Sequence, residues 1–404
     1  MSTARINDID LMAPRVVQGL QQKSLVVGVI FAVISGIIAV VSPQKFIQAY
    51  LLAYMLCVGV TLGCLAWLMI QHVTGGVWGT VIRRPLEAGT RTLPLMAVLF
   101  IPVILGMGRG LYAWTDAAVV AKDKHLQILT SAYLNPRGFV WRAVFYFVIW
   151  GLLVYFLNRY SVEQDHPLTR DVGKSIRKVS APGLVIYALT VSFAVIDWVM
   201  SLDPHWVSTI YPLIFVVGQC LSALCLMVVV ERILSSYTPT LLFLKAKEVH
   251  DHGKFMLAFV MLFAYFSFSQ LLIIWAGNLP DEITWYMRRI HGGWQCVGLF
   301  IAAFHFAVPF LFLLSRSFKR DPMKLVWLAL WMIFMRWVDL VWHIEPTFYQ
   351  NICSVSLVDV AAWIVVPVGM GGLWLAFFFY NLKQRPLLAL YDPKSLALLG
   401  PAHE

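Results

Sequence analysis

Charge is what this chain has least of. Asp, Glu, Lys and Arg make up 13% of its 404 residues, against roughly 25% in an ordinary soluble domain. That scarcity excludes a chain folded mainly in water. Cysteine is sparse as well. The six residues Cys57, Cys64, Cys220, Cys225, Cys296 and Cys353 form no CxxC pair, and five of them lie in apolar runs. Iron–sulfur ligation and zinc ribbons are therefore unsupported, and the thiols read as small packing residues. There is no GxxxxGK nucleotide loop, no low-complexity segment and no evident internal repeat. No stretch outside the apolar runs is long enough for a second soluble domain. The first 23 residues are polar and mixed in charge. No short apolar stretch with a small-residue cleavage site precedes the first long run, so no cleaved signal peptide is expected.

What is abundant is apolar length. Hydrophobic residues are 60% of the chain, and a membrane span needs about 20 of them in sequence. Ten runs meet that need, near 24–41, 47–71, 93–113, 139–158, 182–201, 208–231, 254–277, 292–315, 324–344 and 359–381. Turn and charge signals separate them, among them Ser42-Pro43, Arg83-Arg84-Pro85, Asn135-Pro136, Asp203-Pro204 and Asp321-Pro322. The predicted fold is an all-α membrane protein of ten helices. Helices 2–5 and 6–9 would form two four-helix bundles, with helices 1 and 10 flanking. Residues 1–404 make one polytopic domain: a segment 1–23, the bundle 24–381 and a tail 382–404.

The net charge of +10 does not call for nucleic acid. Of the 31 Lys and Arg, 22 lie at or beyond span ends on the side holding both termini, and six on the other side. Basic residues collect on the cytoplasmic side of a bilayer. The asymmetry predicts cytoplasmic termini and an even number of spans. The one long connection on the opposite side, 114–138, would fold over the outer surface.

Polar residues within the spans are the functional candidates, because lipid cannot satisfy them. Helix 5 carries Thr190, Asp197 and Ser201 on one face. Asp197 reads equally as a proton carrier and as a structural acid bonded to a neighbouring helix. It precedes an acidic corner with Asp203, Pro204 and His205. Helix 9 carries Arg336, Asp339 and His343 at spacings of three and four, so they share a face and can pair. Glu345 follows at the helix end, before Pro346. The set reads either as an ion pair that locks packing or as a relay of protonatable groups, for which histidine is suited. Helix 8 places His291, Gly298 and His305 on one face, and a bis-histidine haem with His72 or His343 is the sharper alternative there. Tyr265, Ser269 and Gln270 on helix 7 can hydrogen-bond without charge. Arg109 reads as a residue snorkelling to the interface, and Pro367 with Gly369, Gly371 and Gly372 as a kink in helix 10.

The stretch SFAVIDWVMSLDPHWVSTIYP (192–212) closely resembles the helix 5 to helix 6 turn of the ActF-type, NrfD-like membrane subunits of bacterial alternative complex III, a quinol:electron-acceptor oxidoreductase. HDHGKFMLAFVMLFAYFSFSQLLIIWAGNLPDEITWY (250–286) is similar to that family's helix 7 and following loop, and the WHIEP turn (342–346) agrees. The resemblance covers most of the chain from about residue 180 onward. It implies a multi-pass subunit of the bacterial inner membrane with no cofactor of its own, serving as a proton half-channel and assembly platform. Its implied partners are an ActC-like sister subunit, multihaem cytochrome c subunits and an iron–sulfur subunit, which hold the haem c and clusters, and in some cases a terminal oxidase. Asp197, Asp203 and His205 are the positions matching the family motif. His305, Arg336, Asp339, His343 and Glu345 rest on spacing. Two other functions stay open at this point: a direct quinol-binding subunit using His205, Asp203 or His343, and a secondary transporter, whose fold would suit ten spans and a Pro/Gly-rich helix 10.

Overall fold

A computed structural model of the chain describes residues 11–166, 171–389, 391, 392 and 395. Arg5, Arg170 and Lys394 of the charge count lie outside the described residues, as does the tail from 396. Among the described residues the elements are helices and turns without strands. Ten helices are long and apolar enough to cross a membrane: α1 (Arg15–Val41), α2 (Pro43–Thr74), α3 (Val77–Met107), α4 (Pro136–Glu163), α5 (Val172–Leu202), α6 (Tyr211–Leu234), α7 (Ala246–Gly277), α8 (Trp294–Leu314), α9 (Pro322–Thr347) and α10 (Leu357–Leu382). This is the architecture of a multi-pass membrane protein. An even count puts residue 15 and residue 382 on one face, here called the termini face.

The hydropathy runs place all ten helices, but four start eight or more residues earlier than predicted. The largest difference is α3, which starts at Val77 rather than 93. Arg83, Arg84 and Pro85 are not loop residues; they sit in a buried helical segment, Val77–Thr90. Their charges break the apolar run, so hydropathy alone ends the span there.

α2 and α6 form the centre. α2 packs against α1, α3, α5, α6, α9 and α10, and α6 packs against α2, α5, α7 and α9. The α3–α4, α4–α5, α7–α8 and α8–α9 contacts complete the neighbour pattern. Close approach of α2 to α6 depends on Gly59 and Gly63, a small-xxx-small pair. A Cβ on Gly63 would lie 2.7 Å from both the Gln219 carbonyl carbon and the Ala223 Cβ. On the rim, α1 packs against α10 through Gly28 and Gly372, where a Cβ on Gly372 would lie 2.6 Å from the Gly28 Cα. The helix runs unbroken through Pro367, so two of these glycines serve helix contact: a Cβ on Gly369 would also meet the Ala32 amide nitrogen at 3.0 Å.

Proline explains the broken course of α3. Its pieces Leu93–Val98 and Ile101–Met107 each carry proline at the second position, which removes a donor from the ladder. Two carbonyls beside the break are taken by tyrosines of α2: Tyr54 Oη donates to Met96 O at 3.2 Å and Tyr50 Oη to Leu99 O at 2.8 Å. A buried carbonyl without a partner would cost about 1–3 kcal/mol.

Candidate functional site

The helix 9 residues come together as their spacing predicts. Arg336 Nη1 donates to Asp339 Oδ2, and His343 Nε2 lies 3.4 Å from Asp339 Oδ1. None of the three is more than 4% exposed. α6 shapes the space around them. A Cβ on Gly218 would lie 2.6 Å from the Arg336 Cζ, so only glycine leaves room for the guanidinium. The Phe215 ring centroid lies 5.0 Å from Arg336, and the Tyr211 and Phe215 rings lie 5.2 Å from the His343 ring. Among the described residues Arg336 Nη2 and His343 Nδ1 have no hydrogen-bond partner. Glu345 is wholly buried, its oxygens have none among the described residues either, and the Trp363 side chain faces it.

The end of α9 is held by a residue the sequence did not single out. Arg289 donates to the carbonyls of Trp285 at 2.9 Å, Trp342 at 3.1 Å and His343 at 2.7 Å. Its guanidinium lies 3.6 Å from the Trp285 ring centroid. It thereby caps two carbonyls at a helix C-terminus, where a cation is favoured. Burial pushes its ionisation down, opposed by Tyr211 and Asp203, but a guanidinium stays charged at physiological pH.

His305 is buried and lies 4.2 Å ring to ring from Phe263 of α7. It does not share a face with His291. His291 is exposed and precedes α8, and residues Ala302–Ala307 form a π-helical turn. Gly292 and Gly293, at φ +62° and +89°, turn the chain between His291 and the helix, so the spacing of seven does not set a common face. Among the described residues no group of three or more His, Cys, Asp or Glu is arranged to hold a metal ion.

Asp197 is fully paired. Arg142 of α4 donates from Nε and Nη2, both at 2.9 Å, and Tyr146 Oη donates at 2.8 Å. Asp197 is 0% exposed. Thr190 accepts from Trp150 Nε1 at 2.9 Å, and Ser201 donates to the Asp197 carbonyl. This helix 5 stripe therefore bonds to α4 and to its own backbone. Asp203 and His205 lie apart from it, at the face opposite the termini. Asp203 pairs with Arg288 at 2.9 Å, and His205 Nε2 lies 2.8 Å from Asp123. Asp123 starts the short helix Lys124–Ala132, so the 114–138 connection folds onto the α5–α6 turn as expected. Desolvation raises the Asp123 carboxyl, but the Leu126 amide, the facing His205 and the His125 amide together outweigh it and hold it below the usual range. Arg109 is exposed, as a snorkelling residue should be, and Gln270 of α7 is buried where it accepts from Ser208 at 3.3 Å.

Two further clusters lie toward the termini face. His252 of α7 is 0% exposed. Its Nδ1 lies 2.7 Å from Glu231 Oε2 of α6, and its Nε2 lies 3.0 Å from the Trp78 carbonyl. A carbonyl only accepts, so Nε2 carries a proton. Nδ1 faces the Glu231 carboxyl at that 2.7 Å, although the contact is not aligned as a hydrogen bond. The second cluster centres on Glu87, 0% exposed, which accepts from Arg83 at 3.1 Å, Arg84 at 2.8 Å, Arg385 at 3.3 Å and from Ser161. Arg83 also reaches Asp392 at 2.8 Å, and Arg84 reaches Asp165. Only the i+3 and i+4 spacing of Arg83, Arg84 and Glu87 hinted at this hub; its other members come from α4 and the C-terminal segment.

No family model matches the chain, and no curated protein matches it.

Proposed function

We propose that this chain is a membrane subunit of a respiratory quinol:electron-acceptor oxidoreductase of the alternative complex III type, lying in a bacterial inner membrane with both termini cytoplasmic. Its contribution is a proton pathway and a platform for redox-active partners: a sister membrane subunit, multihaem cytochrome c subunits and an iron–sulfur subunit. The resemblance of residues 192–212 and 250–286 supports the complex. One structural observation carries the pathway: protonatable groups recur at separate depths within α6–α9. Glu231 with His252 lies toward the termini face, His305 in the middle of α8, and Asp339 with His343 nearer the other face, ahead of Glu345.

The neighbour relations of α2–α5 and α6–α9 support their grouping into two bundles with different duties. In α2–α5 the buried charges are closed arginine–carboxylate pairs at the two ends, Glu87 with Arg83 and Arg84, and Asp197 with Arg142. These brace. In α6–α9 two of the buried carboxylates, Glu231 and Asp339, each face a histidine, a side chain suited to carrying a proton. Asp339 lies 17 residues along α9, about 25 Å from its start at 1.5 Å per residue. Glu231 lies three residues from the termini-face end of α6, so the two carboxylates differ in depth by about 20 Å, and in this reading water links the stations. Asp339 is bonded to Arg336 on one side and faces His343 on the other.

Purification from native membranes tests the assignment. A respiratory subunit co-migrates with haem c and with quinol-dependent reduction of an electron acceptor. A chain that purifies alone, free of haem, overturns it in favour of a transporter.

A further inference from the structure

We infer that the outer wall of α8 and α9 holds an anionic phospholipid of the leaflet on the termini face. An apolar groove of about 440 Å³ runs between the two helices. Phe304, Val308 and Phe312 form one side, Trp327, Leu328 and Trp331 the other, and Phe318 closes the end, its ring stacked 5.2 Å from Phe312. Every one of these side chains is apolar or aromatic, and Lys324 stands at the mouth. Along α9 the groove runs from Lys324 to Trp331, about 10 Å at 1.5 Å per residue. That suits the first part of an acyl chain entering from the headgroup level.

Charge at the mouth selects the headgroup. Between Ser315 and Lys324 the chain carries Arg316, Lys319, Arg320 and Lys324 against a single acid, Asp321. Asp321 Oδ1 accepts from the Met323 and Lys324 amides at 3.0 and 3.2 Å at the start of α9, and its Oδ2 lies 3.1 Å from Lys324 Nζ. Arg316, Arg320 and Lys324 are exposed. Lys319 lays its stem over Gly253 of α7, where a Cβ would lie 2.8 Å from its Cγ, and so brings its charge beside Lys254. This basic corner faces the level at which lipid phosphates lie. Among the described residues its near acids are each paired with a lysine, Asp251 with Lys254 at 2.8 Å and Asp321 with Lys324 at 3.1 Å, which leaves Arg316, Lys319 and Arg320 as the excess positive charge. The wall of the groove is fixed rather than pliant, because Trp331 Nε1 donates to Phe304 O at 3.0 Å. That carbonyl belongs to the π-turn that aims His305 inward.

The test uses the full chain, purified from its native membrane with whatever subunits accompany it. Bound lipid is counted by mass spectrometry after exchange against bicelles of phosphatidylglycerol or phosphatidylcholine with identical acyl chains. The wild type should retain phosphatidylglycerol preferentially. Arg320→Gln with Lys324→Gln should cut that preference about fivefold per residue, the effect of one basic group near an anionic surface. Val308→Phe, which fills the groove, should abolish retention of both lipids; both variants must keep the wild-type elution profile. Retention indifferent to headgroup charge, or unchanged in the double variant, overturns the inference. So does a photo-crosslinker at Trp327 that labels a protein subunit instead of lipid.

Discussion

Replacing Asp197 by Asn should weaken the protein without touching proton transfer. The carboxylate accepts two bonds from Arg142 and one from Tyr146, all between 2.8 and 2.9 Å. Asn keeps one acceptor and turns an NH₂ group toward the guanidinium, so at least one donor faces another donor. A hydrogen bond to a charged group is worth about 1.5–3 kcal/mol, and breaking a fully buried pair costs about 3–5 kcal/mol. The Arg142 side chain is 22% exposed and retains its bond to the Tyr133 carbonyl at 3.0 Å. Both features soften the loss, to about 2–3 kcal/mol. The assay is the fraction of folded, monodisperse protein after stepped heating in detergent, for Asp197→Asn, Arg142→Met and the double variant. Because the two side chains act as one unit, the double variant should lose little more than either single one. A thermally normal Asp197→Asn protein that has lost proton release would refute the bracing role and return Asp197 to the pathway.

Two more perturbations reach other parts of the structure. Glu87→Gln leaves Arg83, Arg84 and Arg385 clustered around a neutral amide; partial compensation by Asp392 and Asp165 should hold the loss to about 3 kcal/mol, the low end for a broken buried pair, read as a lower unfolding midpoint with the C-terminal segment released to protease first. Folding lowers the Asp123 carboxyl, so the stabilisation it lends is complete above its ordinary value of 3.8 and is lost as pH falls through the lower folded value; amide exchange across 117–132, corrected for intrinsic rate, should accelerate only below that range, and acceleration near pH 6 would contradict the sign.

The spans were legible because ten apolar runs are a composition signal that packing does not disturb. The Arg336–Asp339–His343 set was legible for a related reason: its members lie on one helix, where spacing alone decides proximity. Arg142 with Asp197 and Glu231 with His252 were not, since 55 residues separate the first pair and 21 the second, and only tertiary structure brings them together. Arg83 and Arg84 were mistaken for loop residues because a buried arginine looks polar in sequence until its carboxylates are located. His305 was assigned the wrong neighbour because His291 lies in the turn before α8, behind Gly292 and Gly293 at positive φ, where helical spacing does not apply.

Protons released per electron in Asp339→Asn, measured in the intact complex reconstituted in vesicles, decide whether α6–α9 conducts. A side chain without an exchangeable acid beside His343 should lower that ratio while quinol-dependent electron transfer and the complement of subunits persist. An unchanged ratio in a correctly assembled Asp339→Asn complex would mean that the buried acids and histidines of α6–α9 only hold the helices together.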